Sequence, residues 1–156
     1  MNVKFKNFSI SLFLSIIVLS SADAIHAEDN SMDTRQVILA LFEAFNRHDT
    51  ESLVALYSKD AEVFSPGNIE PRVGPDAIRE IYDGHFDNIP GVHNAVQNII
   101  VDGDRGSVEF VASWSQATKD DPNARGKLKI AAFITINDGK IIRDVAYFDR
   151  VGFSEN

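Results

Sequence analysis

The chain contains no cysteine, and this absence excludes several classes of protein at once. A disulfide framework, a lipoprotein anchor and a thiol nucleophile all require cysteine, so none of them applies here. Because nothing in the composition calls for an oxidising compartment, any indication of export has to come from another part of the sequence.

Basic residues are also scarce. The sequence has 15 Lys and Arg residues against 23 Asp and Glu residues, and its formal net charge is −8. Proteins that bind nucleic acids or anionic membrane surfaces neutralise phosphates with Lys and Arg. The charge balance therefore argues against both kinds of partner, and its main consequence is solubility.

The apolar run from Ile10 to Leu19 is too short to be a membrane anchor, because a helix needs about 20 apolar residues to cross a bilayer. Lys4 and Lys6 precede this run and give the chain a basic start. A basic start followed by a short apolar run is typical of a secretory signal peptide.

Small residues at the end of this segment predict where it is cleaved. Ala22-Asp23-Ala24 has the small-x-small pattern of a cleavage site, and Ile25-His26-Ala27 is a less ideal second site. We therefore expect residues 1–27 to be a signal peptide, cleaved after Ala24 or Ala27. Residues 28–156 would then form a single exported domain, periplasmic or secreted, with no membrane contact after cleavage.

Helical periodicity characterises the first half of this domain. Asp33 with Gln36 forms a capping-box pattern, which predicts a helix from Asp33 to about His48. Asp49 or Thr50 is expected to cap a second, shorter helix that continues to Tyr57. A third helix is expected to start at residues 74–76, where Pro75 occupies the first helical position.

The second half of the domain changes to a strand-like pattern. Alternating apolar residues and turn signals predict strands over residues 92–101, 107–118, 127–136 and 139–149, and residues 61–64 form only a brief extended segment. The Asp138-Gly139 pair predicts a tight hairpin before the last strand. Three helices followed by four meandering strands predict an α+β domain.

The last strand is expected to line a pocket. Strict alternation assigns its residues to two faces: Ile142, Asp144, Ala146 and Phe148 on one, and Ile141, Arg143, Val145 and Tyr147 on the other. An acid among small and aromatic neighbours is typical of a strand that borders a pocket. The inward face of strand 92–101 stays open, because both of its faces carry apolar residues.

The opposite face of the sheet is predicted to be apolar as well. It would carry Val111, Ala131, Phe133, Val145 and Tyr147. An exposed apolar face of this size indicates a subunit interface, so we expect a homodimer that associates through the outer sheet face.

Several short motifs occur in an order that resembles a known family. They are residues 41–49 (LFEAFNRHD), 53–57 (LVALY), 60–63 (DAEV), 74–78 (GPDAI), 102–105 (DGDR) and 138–141 (DGKI). In this order they resemble the SnoaL-like proteins of the nuclear transport factor two-like superfamily. The resemblance implies a cone: a curved, mainly antiparallel sheet wrapped around three N-terminal helices, with an internal pocket and often a dimer. It implies no single activity, because this fold hosts several chemistries.

The ketosteroid isomerases within this superfamily provide a test of the chemistry. On the matching motifs, Ser65 stands where they have a general-base Asp. Leu41 and Ala132 replace the Tyr and the protonated Asp of their oxyanion hole. Tyr57 and Tyr82 match two supporting pocket tyrosines. Without the three catalytic groups, isomerase chemistry of that design is not expected.

Asp144 is the candidate catalytic acid or base that remains. The epoxide hydrolases would require an Asp where Ala146 stands, whereas the polyketide-cyclase branch also relies on a pocket acid. Burial would raise the pKa of Asp144 toward neutrality. Two other interpretations stay open, a carboxylate at the wet mouth of the cone or one paired with an Arg. His85, one turn after Tyr82, is a weaker candidate for a proton shuttle or an orienting donor.

The sequence thus predicts an exported protein that binds a small, mostly apolar molecule, and that acts on it, if at all, by isomerase-, cyclase- or dehydratase-type acid–base chemistry. A non-catalytic binding or assembly module of the same fold is the alternative. The residues expected to line the pocket are Tyr57, Ser65, Tyr82, Phe110, Ala112, Trp114, Ala132, Ala146 and Phe148. No residue pattern indicates a metal or another cofactor.

Overall fold

A computed structural model describes residues 22–114 and 125–148, with only the backbone of residues 22–33. Residues 1–21 of the predicted signal peptide lie outside the described residues. The same holds for the predicted strand ends at residues 115–118 and 149. Among the helices of the described part, none combines the length and the apolar character needed to cross a membrane.

The three predicted helices are present as α1 (Ala22–Asn46), α2 (Thr50–Leu56) and α3 (Gly74–Asn88). The predicted start of α1 at Asp33 is wrong, because the helix begins at Ala22 and no Gly or Pro interrupts residues 22–33. The cap of α2 is confirmed, since the Asp49 carboxylate accepts a hydrogen bond from the backbone N–H of Ser52 at 3.0 Å. The start of α3 next to Pro75 is also confirmed.

Within the described residues six strands form one sheet, where four were predicted. They are β1 (Tyr57–Phe64), β2 (Arg72–Val73), β3 (His93–Asp102), β4 (Arg105–Trp114), β5 (Gly126–Asn137) and β6 (Lys140–Phe148). Their order is β2-β1-β6-β5-β4-β3, and all neighbours are antiparallel except β1 and β6. Tyr57, predicted as helical, is the first residue of β1. The α+β fold with three helices on a mainly antiparallel sheet is confirmed.

The helices pack on one face of the sheet, and each contributes a fully buried side chain to the core. These are Ile38 of α1, Leu53 of α2 and Ile78 of α3. Helix α1 approaches β4 closely at Gly106, where an added Cβ atom would lie 2.3 Å from Cδ1 of Ile38. Glycine at this position therefore allows the helix to lie directly against the strand.

A bulge near the start of β6 changes which residues face the core. Ile141 is opposite Ile136, whereas Arg143 is opposite Thr135, so Ile142 is an extra residue on β6. The strict alternation predicted for this strand is therefore wrong at its start, because Ile141 is buried and Ile142 is exposed. From Arg143 onward the predicted faces agree with the structure, and the carboxyl of Asp144 lies on the inner face.

A second bulge answers the open question about β3. Val96 is opposite Phe110 and Asn98 is opposite Glu109, so Gln97 is the extra residue. Before the bulge Asn94 and Val96 face inward, and after it Ile99 packs against the core. The even-numbered residues therefore face the core before the bulge and the odd-numbered ones after it. Neither face assignment holds for the whole strand.

Side chains of α1 hydrogen-bond to the outer edge of β3. The Asn46 side chain accepts a hydrogen bond from the backbone N–H of Asn94 at 2.8 Å and donates one to its carbonyl at 2.9 Å. Further along the strand, Arg35 donates to the carbonyl of Ile99 at 3.0 Å. Helix α1 therefore takes the place of a neighbouring strand at these two positions.

Candidate functional site

An internal cavity of about 340 Å³ lies between the helices and the inner face of the sheet. Ten of the residues singled out in the sequence line it: Ser65, Tyr82, His85, Phe110, Ala112, Trp114, Ala132, Asp144, Ala146 and Phe148. Tyr57 does not line the cavity, although its buried hydroxyl contacts a residue that does.

The cavity wall is mostly apolar. Helix α1 contributes Phe42 and Phe45, which sequence reasoning assigned to the helix but not to the pocket. Ala112, Ala132 and Ala146 stand on three neighbouring strands of the wall. Because their side chains are single methyl groups, they leave space that larger residues would fill.

Asp144 is the acid in this wall. It is only 9% exposed, and its Oδ2 accepts a hydrogen bond from the Tyr57 hydroxyl at 2.8 Å. Within the described residues Oδ1 accepts no hydrogen bond and the carboxyl has no Lys or Arg partner. Neither a wet surface position nor an Arg pair, the two other interpretations of Asp144, is found in this part of the chain.

The environment of Asp144 makes it a weaker acid than an ordinary aspartic acid. Burial disfavours the charged carboxylate and raises its pKa from 3.8 to about 6, although the hydrogen bond from Tyr57 partly opposes this. A pKa near 6 places the gain and loss of this proton close to neutral pH, as acid–base catalysis requires.

Two tyrosines form a chain of hydrogen bonds that ends on this carboxylate. The hydroxyl oxygens of Tyr57 and Tyr82 are 2.6 Å apart. Since Tyr57 donates its proton to Asp144, Tyr82 must donate to Tyr57. Burial and the nearby charge of Asp144 raise the pKa of both phenols, so both stay protonated near neutral pH. The chain therefore holds and orients the carboxylate.

His85 lies in the same wall, and the residue as a whole is exposed. Its ring, however, packs against those of Phe45 and Phe86, with centroids 5.6 and 6.3 Å apart. This shielding of the ring from water, together with the nearby His48, lowers its pKa and favours the neutral imidazole. No hydrogen bond joins His85 to Asp144 in the described chain, so the structure places these two candidates in one cavity without linking them.

Sequence reasoning missed Asn94 as a site residue. It lines the cavity, is 8% exposed, and its Oδ1 has no hydrogen-bond partner within the described residues. The only sequence signal was the possibility that the even-numbered residues of β3, which include Asn94, face inward. The bulge at Gln97 interrupts this pattern, so the sequence could not decide between the two faces.

The three positions matched to the isomerase catalytic groups also reach the cavity. Leu41, Ser65 and Ala132 are all part of its wall, so they lie where a base and two donors could act. None of them carries a side chain that could abstract a proton from carbon near neutral pH. Among all the described residues, those of the cavity included, no group of three His, Asp or Glu side chains could hold a metal ion.

Solved structures similar to this one include several polyketide cyclases named as putative. IdmH, a putative polyketide cyclase from Streptomyces antibioticus, is 23% identical over 76% of this chain and 94% of its own, with a TM-score of 0.67. TerC, co-crystallised with polyporic acid, is 24% identical over 78% of this chain and 95% of its own, with a TM-score of 0.67. A putative SnoaL-like polyketide cyclase from Jannaschia sp. CCS1 is 15% identical over 78% and 88%, with a TM-score of 0.69.

At these identities the likeness shows a shared fold and no shared activity. No curated protein matches the chain. The model of the SnoaL-like domain family, however, matches residues 38–144, which is well over half of the chain. This match includes α1 in part, α2 and α3 whole, strands β1 to β5, and the first half of β6 as far as Asp144. The chain belongs to the SnoaL-like domain family of the nuclear transport factor two-like superfamily.

Proposed function

We propose that the protein binds a small, mostly apolar molecule in this cavity and transfers a proton to or from it through Asp144. The observation that carries the proposal is a buried carboxyl in an apolar cavity, which has no cationic partner and only one hydrogen bond, to Oδ2, within the described residues. The co-crystallisation of its structural relative TerC with polyporic acid supports small-molecule binding by this fold.

The proposed chemistry starts from the carboxylate form of Asp144, which predominates above its pKa of about 6. Oδ1 takes a proton from an acidic C–H or O–H group of the ligand, and the electron pair stays on the ligand. Tyr57 keeps Oδ2 in place throughout. The protonated acid then returns the proton to another ligand atom, which isomerises or cyclises the ligand with no net gain of protons.

The apolar wall supports this role because it limits the access of water. Phe42, Phe110 and Phe148 border the same cavity as Asp144. A mostly apolar cavity slows the protonation of a carbanion or enolate by water and raises the basicity of the carboxylate. The proton that Oδ1 takes up either returns to the ligand or is exchanged for one from solvent while the ligand stays bound, so no cofactor forms part of the proposal.

Deuterium exchange into 2-tetralone tests the catalytic part. This apolar bicyclic ketone carries acidic protons at C1, and their replacement in D₂O is followed by proton NMR. We expect the protein to accelerate exchange and Asp144→Asn to reduce the acceleration by ~100-fold or more. Asp60→Asn, which removes an exposed surface carboxylate, is the matched control and should keep the wild-type rate.

A non-catalytic binding module is the second candidate. It is favoured by Leu41, Ser65 and Ala132, since three cavity positions suited to catalytic groups carry none. The same experiment separates the two functions. Saturable binding of 2-tetralone with exchange no faster than in buffer would establish the binding module and contradict the catalytic one.

We also propose export, on the basis of the basic start, the apolar run and the cleavage pattern in residues 1–27. The family match begins at residue 38, so cleavage after Ala24 or Ala27 would leave all of it in the mature protein. The intact mass of protein from the native host should correspond to loss of 24 or 27 residues. A full-length mass in the cytosolic fraction would contradict export.

We also propose that the protein forms a homodimer through the outer face of the sheet. Phe133 and Tyr147 are 52% and 60% exposed there, and their rings contact each other edge to face with centroids 6.0 Å apart. Ala131 is exposed on the same strand as Phe133. Two adjoining aromatic rings on an exposed sheet face are typical of an interface, because their burial releases a large apolar area from water.

A further inference from the structure

The cavity wall contains another polar group, on Asn94, which the proposed chemistry does not use. Its side-chain oxygen Oδ1 is buried and has no partner among the described residues. Native proteins leave few buried polar atoms unpaired, because such an atom gives up its bonds to water and receives nothing in return. A group of this kind inside a ligand cavity suggests that its partner arrives with the ligand.

Asn94 is also held rigidly. Asn46, the last residue of α1, bonds to both the N–H and the carbonyl of the Asn94 backbone. On the other side of the strand, Asn94 is paired with Ala112 of β4. With its backbone fixed from both sides, Asn94 keeps a constant position in the cavity wall, which lowers the entropic cost of binding a ligand.

The amide and the carboxyl lie on different parts of the wall. Asn94 stands on β3 and Asp144 on β6, and β4 and β5 lie between these strands. Asn94 is aligned through Ala112 with Leu128 of β5. Asp144, in contrast, is opposite Ile134 of β5. The two residues are therefore separated along the curved sheet by three interstrand spacings, roughly 14 Å, and by six residues along the strands, roughly 20 Å. A ligand that touches both residues must therefore extend across the cavity.

We propose that Asn94 is a second ligand-binding residue, whose Oδ1 accepts a hydrogen bond from a hydroxyl or N–H group of the ligand. This inference rests on the proposed binding function and specifies its ligand class. The ligand is a mostly apolar molecule with one polar group at the end that reaches Asp144. It has a hydrogen-bond donor at its far end.

Three trans-stilbene probes, longer than one fused ring system, test this assignment by their dissociation constants, measured by calorimetry. 4-Hydroxystilbene has one hydroxyl, 4,4′-dihydroxystilbene has a second one at the far end, and 4-hydroxy-4′-methoxystilbene has an acceptor there that cannot donate. We expect the diol to bind about 10-fold more tightly than 4-hydroxystilbene, as one added hydrogen bond allows. The methoxy probe should show no such gain.

Variants of two asparagines on β3 then locate the acceptor. Asn94→Leu, which keeps the branching and the number of side-chain heavy atoms, should abolish the gain from the second hydroxyl while 4-hydroxystilbene still binds. Asn94→Ala provides a second variant if leucine disturbs the fold. Asn98→Leu is the matched control, because Asn98 is exposed on the same strand, and it should keep the full gain.

The possible outcomes are distinct. An undiminished gain in both Asn94 variants would overturn the assignment of Asn94, even though the cavity binds the probes. An equal gain for the methoxy probe would show that Oδ1 is not the acceptor. If the wild type binds none of the three probes, the proposed binding function fails and the inference fails with it.

Discussion

Arg143 and Asp144 are neighbours on β6, but they face opposite sides of the sheet and opposite environments. On the outer face Arg143 pairs with Glu62 at 3.0 Å and lies over the ring of Phe64, 4.3 Å from its centroid. Such a half-exposed ion pair contributes little to stability. On the inner face Asp144 is buried with a single hydrogen bond, from Tyr57.

The comparison shows what keeps the inner carboxyl reactive. A cation beside Asp144 would lower its pKa and keep the carboxylate charged, as in ordinary ion pairs. Instead the nearest cation on the strand, Arg143, points away from the cavity. The carboxylate accepts its hydrogen bond from a neutral phenol, that of Tyr57, and the pKa of Asp144 stays near 6. The reactivity of the inner face depends on the location of Arg143 on the outer one.

The largest expected effect concerns the outer face. Phe133→Glu places a charge in the proposed dimer interface, where burial of an unpaired charge costs several kcal/mol. We expect light scattering to report a monomer for this variant and a dimer for the wild type. Ile69→Glu adds the same charge at an exposed loop residue and should remain dimeric. A wild type that is already monomeric would contradict the proposed interface.

The second effect concerns the inner face and its dependence on pH. The pKa of Asp144 rises from 3.8 in the unfolded chain to about 6 in the folded one. The folded chain therefore holds the proton more tightly. The stability that Asp144 contributes is fully present below about pH 3.8 and is lost as the pH rises through 6.

Asp144→Asn removes this pH-dependent contribution to stability, since the amide does not titrate. Between pH 4 and pH 7 the unfolding free energy of the wild type should therefore fall relative to that of Asp144→Asn, by roughly 2.4 kcal/mol at 1.36 kcal/mol per pKa unit. Urea unfolding at a series of pH values measures this difference. A difference that does not change with pH would mean that Asp144 titrates as an ordinary carboxyl.

A smaller effect is expected at the unpaired amide. Asn94→Leu replaces a buried group that lacks a partner among the described residues with an apolar one of the same branching, so it should stabilise the ligand-free protein by about 1–2 kcal/mol. Thermal unfolding of Asn94→Leu and of the exposed control Asn98→Leu provides the measurement. A loss of stability would indicate that Asn94 serves the fold and not a ligand.

The smallest effect tests the hydrogen-bond chain. The bond from Tyr57 lowers the pKa of Asp144, so Tyr57→Phe should raise that pKa above about 6. Tyr82→Phe should change it less, because Tyr82 reaches the carboxylate only through Tyr57. Carboxyl titration by NMR of both variants distinguishes them. Equal shifts would show that the two tyrosines act on Asp144 independently.

Much of the fold could be predicted because its signals are local. The Asp138-Gly139 turn, for example, requires positive φ at both residues, and the structure has φ values of 49° and 70° there. Strand β1 was largely missed because its partner β6 lies far away in the sequence, with Val63 opposite Asp144. Pairing over such a distance leaves no local pattern.

The site was predictable where alternation is regular and was missed where it is interrupted. Asp144 follows the bulge of β6, and regular alternation from there onward assigned it to the pocket. Asn94 precedes the bulge at Gln97, so a reading of the whole strand could not choose its face. Its missing hydrogen bond depends on the surrounding atoms in three dimensions, which no sequence pattern records.

The contact between helix α1 and strand β3 has a consequence for aggregation. An exposed edge strand offers unpaired N–H and C=O groups to which strands of other molecules can add. Here Asn46 and Arg35 already bond to backbone groups of Asn94 and Ile99 along that edge. At the opposite edge, β2 has only two residues. The sheet therefore offers little template for fibril-like growth from either end.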